Sequence, residues 1–171
     1  MNAASILKYL VDKKKININI KHLKSLSKKI GSDVIVGMYN KPIIFSKDEV
    51  IRLKKKINLY LVILKPNFGC STKKIYSKVK KYSKPLKNIK NKLNNLGSLK
   101  NDLQDIVIKK YPELKKPIEF LENQPGINFV KMTGSGSCFV AYSKSRNSII
   151  NSFKKFRKNY PKYWSVLSKT I

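Results

Sequence analysis

Acidic residues are scarce in this 171-residue sequence, where nine Asp and Glu face 38 Lys and Arg and the formal net charge is +29. That leaves few carboxylates from which a catalytic acid or base can be drawn. Histidine occurs once, as His22 on the surface of a helical stretch, so no Ser-His-Asp or Cys-His set can be built without forcing that residue into service. Cysteine occurs twice, as Cys70 and Cys138, distant in sequence and without CxxC spacing. Neither a zinc site nor a disulfide framework is indicated, and a reducing cytoplasm fits. Long apolar runs are missing too, none approaching the about 18 residues of a membrane span. The opening Met1-Asn2-Ala3-Ala4-Ser5 lacks the charged and apolar regions of a secretory signal. A cytoplasmic protein with no membrane partner is expected.

Arginine is also rare. Only Arg52, Arg146 and Arg157 contribute to the basic total, whereas bidentate phosphate and base-edge recognition favours the planar guanidinium. The lysine excess accompanies an excess of Asn and Ile, as in Ile16-Asn17-Ile18-Asn19-Ile20. All three have A/T-rich codons, so nucleotide bias accounts for the basicity. An alternative reading is a basic RNA- or ribosome-associated module, motivated by the charge and by aromatics interleaved with lysines at 76–82 and 153–164. Most of those aromatics fall at positions that read as core, and no specific nucleic-acid partner is expected. With 42% hydrophobic and 10% aromatic residues, the chain has the apolar surface for a globular fold.

Periodicity gives an opening helix over 2–12, with Ala3, Ile6, Leu7 and Leu10 on one face. A second helix runs from about Ile20 to Ile30, Leu23, Leu26 and Ile30 inward, and Gly31 stops it. Residues 34–46 read as extended, broken by Gly37 and the turn Asn40-Lys41-Pro42. A strand over 57–64 leads into the loop Lys65-Pro66-Asn67-Phe68-Gly69, then a helix over 72–81 capped by Ser71. The Lys- and Asn-rich stretch 83–100 reads as a mobile surface loop. Helices over about 101–111, capped by Asn101, and 114–122 precede strands at 127–132 and 138–142, a helix at 145–158 and a strand at 162–169. From residue 57 the order is that of a ferredoxin-like α+β sandwich, four strands in one sheet with the helices on one face.

Sorting the carboxylates leaves Asp33 as the one set among small and apolar neighbours, Gly31-Ser32 before it and Val34-Ile35-Val36-Gly37 after. From spacing alone a helix or turn cap is the commoner use of such an aspartate. A partly buried Asp with a lysine partner is also what abstraction of a hydroxyl proton requires. The turn Thr133-Gly134-Ser135-Gly136-Ser137 offers backbone N–H groups and hydroxyls, a combination that can hold phosphate oxygens or simply close a hairpin. It lacks the Gly-Lys-Ser/Thr ending of a Walker loop.

Several segments, in order, resemble the 4-diphosphocytidyl-2-C-methyl-D-erythritol kinases of the GHMP superfamily. They are Asn2-Ala3-Ala4, Gly31-Ser32-Asp33-Val34, Lys65-Pro66-Asn67-Phe68-Gly69-Cys70-Ser71-Thr72-Lys73-Lys74-Ile75-Tyr76, Asn101-Asp102-Leu103 and Met132-Thr133-Gly134-Ser135-Gly136-Ser137-Cys138. The resemblance implies a small-molecule kinase of isoprenoid biosynthesis, using ATP and Mg2+ to phosphorylate the 2-hydroxyl of a cytidine diphosphate derivative. It assigns Asp33 the general-base role, Thr72 and Tyr76 to the substrate, with Tyr76 against the cytosine ring, and Gly134, Ser135 and Gly136 to the phosphates; no metal ligand is assigned. It further implies a C-terminal GHMP domain over 57–171 and, over 1–56, a remnant of the ATP-binding lobe. The family's Gly-rich ATP loop, ending Ser-Ser-Asn-Ala-Ala, falls just before Asn2, and Met1 stands where its last serine would be. The family's catalytic lysine has no counterpart, and Ile35 replaces a usual proline. On this resemblance the 171 residues are N-terminally truncated and, alone, are expected to show no detectable turnover.

Overall fold

In a computed structural model describing residues 2–13, 19–39, 42–46, 49–53, 57–84 and 93–170, the chain divides into two units, Met1–Ile57 with Ile171 and Asn58–Thr170. The first begins with α1 (Asn2–Asp12), α2 (Ile20–Ile30) and α3 (Ser32–Gly37). An antiparallel hairpin follows, β1 (Ile43–Ser46) against β2 (Glu49–Arg52), with Ile43 opposite Arg52. Residues 34–37, expected to be extended, are helical. Val34 and Ile35 are buried within α3, and a short β-branched run cannot by itself separate a buried helix from a strand. The turn expected at Asn40-Lys41 lies outside the described residues.

The amphipathic face of α2 also differs from expectation. Leu26 and Ile30, expected to point inward, are 39% and 55% exposed, Ile6 of the α1 stripe is 60% exposed, and burial falls instead on Ala4 and Ser27. Ser27 is accommodated because its hydroxyl donates to the Leu23 carbonyl one turn back at 2.7 Å.

The second unit is built on β3 (Tyr60–Lys65), β4 (Phe129–Met132), β5 (Phe139–Ser143) and β6 (Trp164–Lys169), ordered β4-β5-β3-β6 with every neighbouring pair antiparallel. Read from the β6 edge, these are the fourth, first, third and second strands of the unit, the ferredoxin-like order that the sequence suggests. Alternate strand residues Val62, Leu64, Val130, Met132, Phe139 and Ala141 face one way. Against them pack Ile75 of α4 (Thr72–Tyr76), Val107 of α5 (Gln104–Lys110), Leu121 of α6 (Lys115–Glu122), and Ile149 and Phe156 of α7 (Arg146–Asn159). The helices thus share one face and one core. Helix α4 stops at Tyr76 rather than at 81, although Val79, four residues beyond the buried Ile75, still packs against the core. Within the expected surface loop, Leu93–Ser98 form 3-10 turns broken by a kink at Asn95, while 85–92 lie outside the described residues.

A serine network fixes where α7 starts. The buried Ser143 hydroxyl donates to the Gly126 carbonyl at 2.6 Å and accepts from the Ser145 N–H at 3.0 Å, and Ser145 caps the helix by accepting from the Ser148 N–H. Gly126 sits at φ +78, and a Cβ there would lie 2.6 Å from the Ser148 Cβ. Gly126→Ala is therefore expected to destabilise the fold by about 1–3 kcal/mol through overpacking and left-handed backbone. A urea midpoint equal to that of the wild type would contradict this.

Candidate active site

Pairing of Leu64 with Phe139 sets the end of β3 beside the start of β5, so the loop after β3 meets the turn between β4 and β5. The contacts are specific. Ser137 donates its hydroxyl to the Phe68 carbonyl at 2.8 Å, and the hydroxyls of Thr72 and Ser135 lie 2.9 Å apart. Phe68 in turn stacks on Tyr111 with ring centroids 4.7 Å apart.

The turn is closed by the Thr133 N–H donating to the Cys138 carbonyl at 3.0 Å and the Gly136 N–H donating to the Thr133 carbonyl at 3.1 Å. Its glycines serve different needs. Gly136 has φ +85, and a Cβ there would press on Met132 Sδ at 3.1 Å and Cys70 Sγ at 3.3 Å. At Gly134, φ is +55 and a Cβ would meet nothing within 4 Å, so this side of the turn opens outward. Among the described residues, the N–H groups of Gly134 and Ser135 meet no protein acceptor. Two backbone donors beside two hydroxyls are a set of groups suited to phosphate oxygens.

The turn is held from behind by Asn101 and Gln104. The Asn101 carboxamide donates to the Met132 carbonyl at 3.1 Å and to the Gly134 carbonyl at 2.9 Å, while its oxygen accepts from the Leu103 N–H at 3.0 Å. The Gln104 side-chain oxygen accepts from the Met132 N–H at 3.0 Å. The helix expected from 101 with Asn101 as its cap begins instead at Gln104, with Leu103 at the N-cap and no side-chain cap bond, so Asn101 lies in the turn before it and its oxygen accepts from the Leu103 N–H there. Next to it, the Ser83 hydroxyl and N–H donate to Asp102 and hold that carboxyl below the usual carboxylate range. Burial pushes the Cys70 thiol up, with Lys110 opposing, so Cys70 is not an activated nucleophile.

The residues singled out by sequence therefore divide. Thr72, Gly134, Ser135 and Gly136 come together, and Tyr76 lies one turn along α4 from Thr72 with its ring 48% exposed. Asp33 belongs to the first unit, in the first turn of α3. It is exposed rather than partly buried, and it does not cap: α3 has Gly31 at its N-cap and no side-chain cap bond. His22 is exposed on α2, as expected. Among the described residues no three His, Cys, Asp or Glu cluster as a metal would need, and no helix is long and apolar enough to cross a membrane.

A cavity of about 590 Å³ at the other end of the sheet is lined by Tyr60, Arg146, Ile149, Leu167 and Lys169. Ile150 and Ser168 complete its lining, which holds no carboxylate and none of the residues singled out by sequence. The RNA-binding alternative finds no support. Of the aromatics that motivated it, Phe156 is fully buried and Phe153, Tyr160 and Tyr163 pack against the core, whereas Tyr76, Tyr82 and Trp164 are exposed.

Residues 77–162, about half the chain, match the family described as GHMP kinases C terminal. The chain is 43% identical along its whole length to a 4-diphosphocytidyl-2-C-methyl-D-erythritol kinase of Pelagibacter ubique, and spans 63% of that relative. Over 83% of its length it is 33% identical to the enzyme of the same name from a Wolbachia of Drosophila simulans, spanning 52% of it. A crystal structure of a 4-(cytidine 5'-diphospho)-2C-methyl-D-erythritol kinase superposes with a TM-score of 0.80 at 19% identity, over 99% of this chain and 64% of the other. Homoserine kinase from Cytophaga hutchinsonii superposes over the same shares with a TM-score of 0.64 at 16% identity. At such identities, the likeness to these structures is one of fold.

Proposed function

We propose a function from the premise that this chain belongs to the GHMP kinases C terminal family: it serves an ATP-dependent kinase that phosphorylates the 2-hydroxyl of 4-diphosphocytidyl-2-C-methyl-D-erythritol in isoprenoid biosynthesis. The observation that carries the reading is the group of donors at the β4–β5 turn, the Gly134 and Ser135 N–H groups beside the paired Thr72 and Ser135 hydroxyls, in a chain whose curated relatives bear that activity in their names. Residues 57–171 are assigned to the C-terminal domain and 1–56 to the ATP-binding lobe. The turn donors orient the phosphoryl oxygens, and hydroxyls in place of carboxylates keep repulsion away from the transferred group. Asp33 takes the proton of the substrate hydroxyl, and the exposed ring of Tyr76 covers one face of cytosine. Mg2+, when bound through the nucleotide's phosphates, neutralises their charge. The free thiols Cys70 and Cys138 support a cytoplasmic setting.

The test is 31P NMR of ATP incubated with the intact enzyme and either the cytidine substrate or homoserine. ADP formation is expected only with the first. Turnover of homoserine alone would overturn the substrate assignment. Tyr76→Ala is expected to raise KM for the cytidine substrate about tenfold, the worth of one base–aromatic stack, with kcat within about twofold. A fall in kcat at constant KM would remove Tyr76 from the nucleobase site.

A further inference from the structure

The carboxamide of Asn101 uses every group it has in one arrangement. Its NH2 donates to two carbonyls of the turn, Met132 at 3.1 Å and Gly134 at 2.9 Å, and its oxygen accepts from the Leu103 N–H at 3.0 Å. A flipped amide would put the oxygen against two carbonyl oxygens and the NH2 against an N–H, so the network itself fixes the orientation. In a trans peptide, the carbonyl of one residue and the N–H of the next point in opposite directions. Holding the Gly134 carbonyl toward Asn101 therefore turns the Ser135 N–H away from it, where among the described residues it meets no protein acceptor. Holding the Met132 carbonyl in the same way turns the Thr133 N–H onto the Cys138 carbonyl, the bond that closes the turn. Gly134, at φ +55 and free of neighbours, has no steric reason of its own to keep this peptide orientation.

We propose that Asn101 is a positioning residue, whose carboxamide fixes the Gly134–Ser135 peptide so that the Ser135 N–H is presented to a phosphate oxygen. The inference rests on the reading of the turn as the phosphate-handling part of a kinase. It extends that reading to a side chain that touches no substrate. Preorganisation of this kind matters because a donor already aimed at the developing charge need not reorient during the reaction.

Asn101→Asp separates the two halves of the role. Aspartate keeps the acceptor for the Leu103 N–H but has no donor, and it places a charged oxygen against the Met132 and Gly134 carbonyls. Asn101→Ala removes both halves. Gln104→Glu keeps the acceptor for the Met132 N–H and serves as the control. Amide hydrogen exchange of the full chain, read at Thr133 and Gly136, is expected to quicken at least tenfold in Asn101→Asp while Leu103 keeps its protection. In Asn101→Ala all three amides should exchange faster, and in Gln104→Glu none should. In the active enzyme, Asn101→Asp is expected to lower kcat about a hundredfold with KM for the alcohol within about threefold, the loss typical of one transition-state donor. Wild-type exchange at Thr133 and Gly136 in Asn101→Asp overturns the proposal, whatever the kinetics. Faster exchange with unchanged kcat overturns the link to phosphate. Faster exchange in a protein whose wild type phosphorylates no alcohol leaves the clamp standing and sinks the kinase reading instead.

Discussion

Replacing Phe156 with alanine is expected to destabilise the second unit by about 3–5 kcal/mol, a large part of the stability of an ordinary domain. The side chain is fully buried on α7, with ring centroids 4.9 Å from Tyr160, 5.8 Å from Tyr163 and 6.2 Å from Phe120. Those neighbours come from α6, from α7's own C-terminal end and from the connection to β6, so the cavity left by alanine would be walled by elements already committed to the sheet and could collapse little. Phe156→Leu, which keeps most of the volume, is expected to cost less than about 1.5 kcal/mol. Lys155→Ala, exposed on the same helix, should stay within about 0.5 kcal/mol of wild type. Urea unfolding followed by tryptophan fluorescence gives all three. A loss below 1 kcal/mol for Phe156→Ala, with unchanged slope, would show that the aromatic cluster is not a packed unit.

The second unit was legible in the sequence because its signals agree with one another. The continuous apolar runs of Tyr60–Lys65 and Phe139–Ser143, Ser145 ahead of a long amphipathic helix, and a Gly-rich turn between two apolar runs all point to the same plan. The first unit was read less well where the signals conflict. In Val34-Ile35-Val36, β propensity and helical burial compete, and burial of the first two residues decided. The expected inward face of α2 failed at Leu26 and Ile30 for a related reason. A stripe of Leu and Ile says that a face is apolar, but not whether the rest of the unit covers it. At the site, the turn could be found from its glycines, whereas the double donation of Asn101 could not. Its partners are backbone carbonyls some 30 residues away, and backbone carbonyls leave no mark in a sequence.

In the intact enzyme, Asp33→Asn is expected to lower kcat by two to four orders of magnitude, roughly the range that a positioned general base contributes. The substitution is isosteric and removes only the charge and basicity. Asp33 is exposed in the first turn of α3, and among the described residues no hydrogen bond or ion pair depends on its carboxylate. Loss of a carboxylate near the positive end of a short helix should cost no more than a few tenths of a kcal/mol, so the fold should survive the change. Binding of the cytidine substrate should also survive within a few-fold, because the nucleobase and phosphate contacts assigned to Tyr76, Ser135 and the turn do not involve this side chain. The diagnostic pattern is thus unchanged Tm, unchanged Kd for the cytidine substrate by calorimetry, and lost turnover. Full activity in Asp33→Asn would remove the residue from the mechanism, since an amide cannot accept the substrate proton at neutral pH. A variant that lost stability and binding together would instead make Asp33 a structural residue of α3, and the base would have to be sought elsewhere.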